Sequence, residues 1–73
     1  MEKVQAFVKM NEYVMKQYTY AYASKRNATD IFRYRNTAYG AFEMFDILYP
    51  DYLTEDQFDE FWEFYNNLFE ALM

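Results

Sequence analysis

Large apolar side chains recur along this chain at steps of three and four residues, in three stretches separated by short polar breaks. At 3.6 residues per turn such spacing collects them on one side of a helix. In the first stretch Val4, Phe7, Val8, Val14, Met15, Tyr18, Ala21 and Tyr22 make the stripe, with Asn11 interrupting it. It closes near "ASKRN", where Lys25 and Arg26 suit the negative end of a helix dipole. In the second stretch Ile31, Tyr34, Ala38, Ala41, Phe42, Phe45 and Leu48 recur in the same way. Asn27 or Thr29 can cap its start, and Asp30 falls in its first turn. Pro50 ends it, because the residue before a proline, Tyr49, is pushed out of helical geometry. Thr54 opens the third stretch, and Gln57 stands where a capping box needs it. Phe58, Phe61, Tyr65, Leu68 and Leu72 then step by three and four, with Trp62 and Phe69 widening the band.

These patterns predict helices over about 3–24, 28–49 and 55–72, within one domain spanning 1–73. Short linkers make consecutive helices antiparallel neighbours, so the expected fold is all-α, a three-helix up-down bundle. A single glycine and a single proline disfavour a turn-rich β protein. Gly40 stands in the middle of the second helix, where it costs about 1 kcal/mol relative to Ala. Beside Ala38 and Ala41 it admits two readings: a close approach by another helix, or no more than a small kink.

Composition sharpens the picture. With 73 residues the chain buries only roughly 60% of the surface its unfolded form exposes. It has no cysteine, which removes disulfides, thiolate catalysis and most zinc sites, and no histidine, the common metal ligand and near-neutral acid–base group. Eighteen residues are aromatic, more than three short helices easily enclose at about 150–250 Å² each. Tyr13, Tyr20, Phe32, Tyr39 and Phe64 fall off the stripes, with Met10 and Met44 near them in pattern. Tyr and Phe favour interface cores, so a homodimer is expected, self-associating through Tyr13, Phe32, Tyr39, Gly40 and Phe64. The competing reading is that the stripes are slightly rotated and some of these rings are core. The longest uncharged run, "QYTYAYAS", is far shorter than the ~20 apolar residues of a membrane span. The charge-broken start "MEKVQAFVKMNEY" does not read as a signal peptide, and with the absence of cysteine this points to the cytoplasm.

Charge is divided unevenly. Residues 1–40 hold seven bases and three acids, a balance of +4, while residues 41–73 hold nine acids and no base, a balance of −9. Glu55 and Asp56 suit the positive end of their own helix, by about 0.3–1 kcal/mol each. Glu43 and Asp46 lie toward the wrong end of theirs, so helix stability explains only part of the pattern. Residues 55–63 carry five carboxylates over about 13 Å of helix, roughly one per 3 Å. One DNA strand carries a charge per ~3.4 Å. The bland alternative is a solvated face that keeps an aromatic-rich chain in solution.

No catalytic constellation is readable. The segment "LTEDQFDEFWEFY" resembles the opening helix of calmodulin-type proteins, but the calcium loop does not follow it, since "NNLFEALM" comes next. A looser cation site from Asp51, Glu55 and Asp59 is disfavoured, because carboxylates four apart are common on solvated helices. Ser24 has no histidine to activate it, and no glycine-rich phosphate loop exists. No enzyme activity, cofactor or metal is expected. The basic stretch "KRNATDIFRYRNTAY" offers Lys25, Arg26, Arg33 and Arg35 among Asn27, Tyr34, Asn36 and Tyr39, a pattern for nucleic-acid contact. Overall acidity disfavours it, because the −9 half repels the same duplex.

Small, acidic, rich in Tyr, Phe and Asn and without His or Cys, the chain resembles the small host-takeover proteins of bacterial viruses. Some of these act as DNA mimics against nucleoid proteins, nucleases or sliding clamps. The resemblance implies a phage inhibitor whose partner is a basic DNA-binding protein of a bacterial host. Glu43, Asp46, Asp51, Asp56, Asp59, Glu60, Glu63 and Glu70 would form its partner-binding acidic face. The other expectation is a plain interaction module that works through exposed aromatics such as Tyr39.

Overall fold

A computed structural model describes residues 2–73. It contains α1 (Lys3–Ala23), α2 (Ala28–Leu48) and α3 (Glu55–Glu70), and no strand among the described residues. The local signals act as read. The Asn27 side chain accepts the Asp30 N–H at 3.2 Å, and Tyr49 leaves helical geometry at ψ 67°. At the start of α3 the Thr54 hydroxyl accepts the Gln57 N–H at 3.1 Å while the Gln57 side chain accepts the Thr54 N–H at 2.9 Å. Two amide groups that a helix start leaves without partners are thereby satisfied.

Ring contacts fix the relative directions. Phe7 meets Phe45 at 5.4 Å and Tyr20 meets Tyr34 at 5.7 Å, so α1 and α2 run antiparallel. Phe42 on Phe58 (4.6 Å) and Tyr39 on Trp62 (4.8 Å) make α2 and α3 antiparallel as well. Phe7–Phe61 and Tyr18–Phe69 then set α1 and α3 side by side in the same sense. The result is an up-down-up bundle. Its core holds Val14, Ile31, Ala38, Phe42 and Phe69 fully enclosed, with Met10, Phe45, Leu53 and Tyr65 nearly so. Phe42 touches Phe58, Trp62 and Tyr65 together, and so is the main seat of α3 on α2.

The stripe expected on α1 is corrected. Only Val14 and Ala21 of that stripe are buried, and Phe7 and Tyr18 are half-buried. Val4, Val8, Met15 and Tyr22 are exposed, and the face turned inward is Met10, Val14, Gln17 and Ala21. Apolar residues wrap more than half of α1, so periodicity alone does not select which part meets α2. On α2, Leu48 lies exposed at the helix end, and on α3 Phe61 sits at the surface edge of the core. Gly40 is exposed with nothing within 4 Å of where a Cβ would stand, so no element of this chain makes the close approach its sequence allowed.

Two stability changes follow. Gly40→Ala removes a helix-interior glycine without a clash, and is expected to stabilise by about 1 kcal/mol, raising Tm by about 4–8 °C. Phe42→Ala empties the seat of α3 and is expected to cost about 3–5 kcal/mol. That is a large share of the roughly 4–11 kcal/mol available to a chain this long. Thermal and urea unfolding followed by far-UV circular dichroism checks both.

Candidate acidic face

α3 docks through Phe58, Tyr65 and Phe69, and this decides where its charges point. At roughly 100° per residue, Glu55, Asp56, Asp59, Glu60, Glu63 and Glu70 fall within an arc of roughly 140° on the side away from the core. All six are exposed. Beside them α2 adds Glu43, exposed, and Asp46, half-buried one turn nearer the α2–α3 connection. Asp51 is exposed in that connection. The carboxylates expected to act together thus occupy α3 and the adjoining edge of α2. Glu60 stands apart at the far rim of the arc, beside a shallow hollow of about 340 Å³ that it lines with Phe61 and Phe64.

The seam between α2 and α3 is aromatic below and acidic above. Tyr39 packs edge-on against Trp62 at 4.8 Å and 65°. Its phenol is held above the usual tyrosine range, first by desolvation, then by the hydrogen bond and charge of Glu43 and the charge of Asp59; Arg35 acts in the opposite sense. Arg35 closes the seam at the other end without pairing with an acid. Its Nε donates to Asn66 Oδ1, another guanidinium nitrogen donates to Asn36 at 3.0 Å, and its guanidinium lies 5.5 Å from the Trp62 ring centroid. Asn66 in turn donates to Glu70 at 3.0 Å. Among the described residues the one ion pair is Arg33–Asp30 at 3.2 Å, outside this face. The carboxylates of α3 therefore stand without a cationic partner among the described residues.

Other expected residues are dispersed. Tyr13 lines the α1/α2 groove with Met10, Ala41, Met44 and Leu48. Phe32 lies under the Arg35 guanidinium, Tyr39 is half-buried on Trp62, Gly40 faces open space, and Phe64 sits beside Phe61. Phe32 and Tyr39 share the side of Arg35 and Trp62, whereas Tyr13 and Phe64 lie elsewhere, so the five do not make the single apolar face expected of them. The basic stretch is partly committed within the chain, with Arg33 on Asp30, Arg35 on Asn66 and Lys25 4.7 Å over the Tyr22 ring. Among the described residues no three acidic side chains gather to hold a metal ion, Asp51, Glu55 and Asp59 included. No described helix is long and apolar enough to cross a membrane. Sequence reasoning missed the Tyr39–Trp62 contact and the Arg35–Asn66 link, which join positions 23 and 31 residues apart with no local signature. No protein-family model matches the chain, and no curated protein or solved structure matches it significantly.

Burial also raises the Tyr65 phenol above its ordinary value. Absorbance titration is expected to find two of the tyrosines ionising late, and Glu43→Gln should bring Tyr39 down while leaving Tyr65 raised. The unfolded chain releases these protons near pH 10 and the folded chain at higher pH, so the unfolded state binds fewer protons there. Stability is full below about pH 10 and falls as pH rises toward the folded values, which denaturant titrations across that window test.

Proposed function

We propose that this protein is a non-enzymatic inhibitor that presents an acidic, DNA-like helical face to a basic DNA-binding protein of a bacterial host, acting in the cytoplasm as a homodimer. One observation carries the reading: six exposed carboxylates on the outward side of α3 have no cationic partner among the described residues. Five of them lie within residues 55–63, at roughly one per 3 Å of helix axis, near the ~3.4 Å spacing of charges along a DNA strand. Glu43 and Asp46 widen the band on the adjoining helix. A groove lined by Lys and Arg that accepts phosphates by charge and spacing would meet a similar field here. Because the carboxylates sit on a packed helix, little ordering entropy is lost on binding, unlike the case of a flexible acidic tail.

The partner is of the class that grips DNA without reading bases: a nucleoid protein, a nuclease or a sliding clamp. Direct nucleic-acid binding by α2 is the weaker reading, since two of its guanidinium groups are already engaged inside the chain. A plain interaction module has its own support in the exposed apolar side chains of α1 and α3, and it differs in being indifferent to the acids.

Asp59→Lys, Glu60→Lys and Glu63→Lys together are expected to abolish capture of the partner from bacterial lysate while far-UV dichroism keeps its helical signal. Excess duplex DNA should displace the partner from the parent protein. Binding that survives the triple substitution, or that DNA does not disturb, rules the proposal out.

A further inference from the structure

The bundle has three grooves of different character. The α2/α3 groove is acidic, and the α1/α2 groove contains Lys9 among its apolar residues. The α1/α3 side is mostly apolar, with Glu60 at its rim beside Phe61 and Phe64. Val4, Val8, Met15 and Tyr22 are 41–59% exposed on α1, and Phe61 and Phe64 are 37% and 60% exposed on α3. On α1 these belong to the series Val4, Val8, Asn11, Met15, Tyr18, Tyr22, in steps of four, three, four, three and four. That 3.5-residue period is the one by which helices pair along a seam. No member of the series carries a charge over five turns, which a face meant only for water does not require.

We infer that this α1/α3 face is a self-association surface, occupied by a second copy of the chain related by a two-fold axis that sets the two α1 helices antiparallel. The inference deepens the homodimer in the function proposed above by naming its interface and orientation. It does not depend on what the acidic face binds.

Charge selects the copy and its direction. One end of the bundle carries Asp51, Glu55 and Asp56, and the other carries Lys25 and Arg26. A parallel pair would stack like ends together, whereas an antiparallel pair lays the acidic end of each chain beside the basic end of the other. The same arrangement puts Val4 opposite Tyr22, Val8 opposite Tyr18 and Asn11 opposite Met15, so apolar groups meet along the seam. Asn11 already donates to the Phe7 carbonyl at 3.0 Å, so one of its amide donors keeps its partner when the seam closes. The area is of the right order. Six half-exposed side chains of this size present roughly 500 Å² before their neighbours are counted, against roughly 600–1,000 Å² per partner in specific interfaces. The outward arc of α3 faces away from this seam, apart from Glu60 at its rim, so Asp59, Glu63 and Glu70 stay free.

Sedimentation of the full chain alone, at micromolar to millimolar concentration, is expected to give a dimer. Val8→Glu or Phe64→Glu should weaken association at least ten-fold with the helical signal kept, and Met44→Glu, in the α1/α2 groove, should leave it intact. A parent that stays monomeric throughout, or a dimer broken by Met44→Glu and untouched by Val8→Glu, overturns the inference. Should the charged variants unfold, the cysteine-free chain allows a second test at two exposed positions. Val4→Cys and Tyr22→Cys proteins are mixed and oxidised, with disulfide-linked dimers expected from the mixture and not from Val4→Cys alone. Linking of Val4→Cys to itself, or no linking in the mixture, overturns the antiparallel arrangement. The two proposals fail separately: Asp59→Lys with Glu63→Lys, which leaves Glu60 at the seam's rim unchanged, should remain dimeric, and loss of the dimer does not restore a cationic partner to the acids.

Discussion

Everything in this molecule depends on how α3 is seated. Phe42, wholly enclosed, receives Phe58, Trp62 and Tyr65 from α3, and Phe69 reaches across to Tyr18. These contacts hold the third helix in one rotation about its axis. In a chain with no disulfide and a small core, few other interactions can do so. A quarter turn that brought Asp59 and Asn66 inward would bury carboxylates, which is costly in a domain of such small stability. The aromatic seat and the outward acidic arc are therefore one feature seen from two sides.

That seating also accounts for the arrangement of charge. The bases of this chain lie before Gly40, and the fold uses several of them locally: Arg33 on Asp30, Arg35 on Asn66 and against Trp62, Lys25 over Tyr22. None forms an ion pair with an α3 carboxylate among the described residues. A field of unpaired negative charge on a stiff element draws cationic partners strongly at low ionic strength and loses that pull as salt rises. The mostly apolar flank of α3 that carries Phe61 and Phe64, with Glu60 at its rim, gives the molecule a second surface of different chemistry.

Much of the architecture was legible in the sequence because its signals are local. Thr54 with Gln57, Asn27 before Asp30, and Pro50 after Tyr49 each act within a few residues of themselves, and they bound the helices. The α3 band was also legible, since its acids and rings occupy opposite sides of one short helix. The rotation of α1 was not. Its apolar residues span a wide arc, so Val4, Val8, Met15 and Tyr22 read as core, whereas the buried face adds Met10 and Gln17 to the expected Val14 and Ala21. The same ambiguity scattered Tyr13, Phe32, Tyr39 and Phe64, because each helix was read without knowing where its neighbours stand. Gly40 invited a close contact that the chain itself does not make.

The claim beneath all of this is the rotation of α3, and nuclear Overhauser contacts between aromatic rings read it directly. The account predicts cross-peaks from Phe42 to Phe58, Trp62 and Tyr65, and from Tyr18 to Phe69. Cross-peaks from the Phe42 ring to the side chains of Asp59, Glu63 and Asn66 in their place would put the carboxylates against the core side and contradict it.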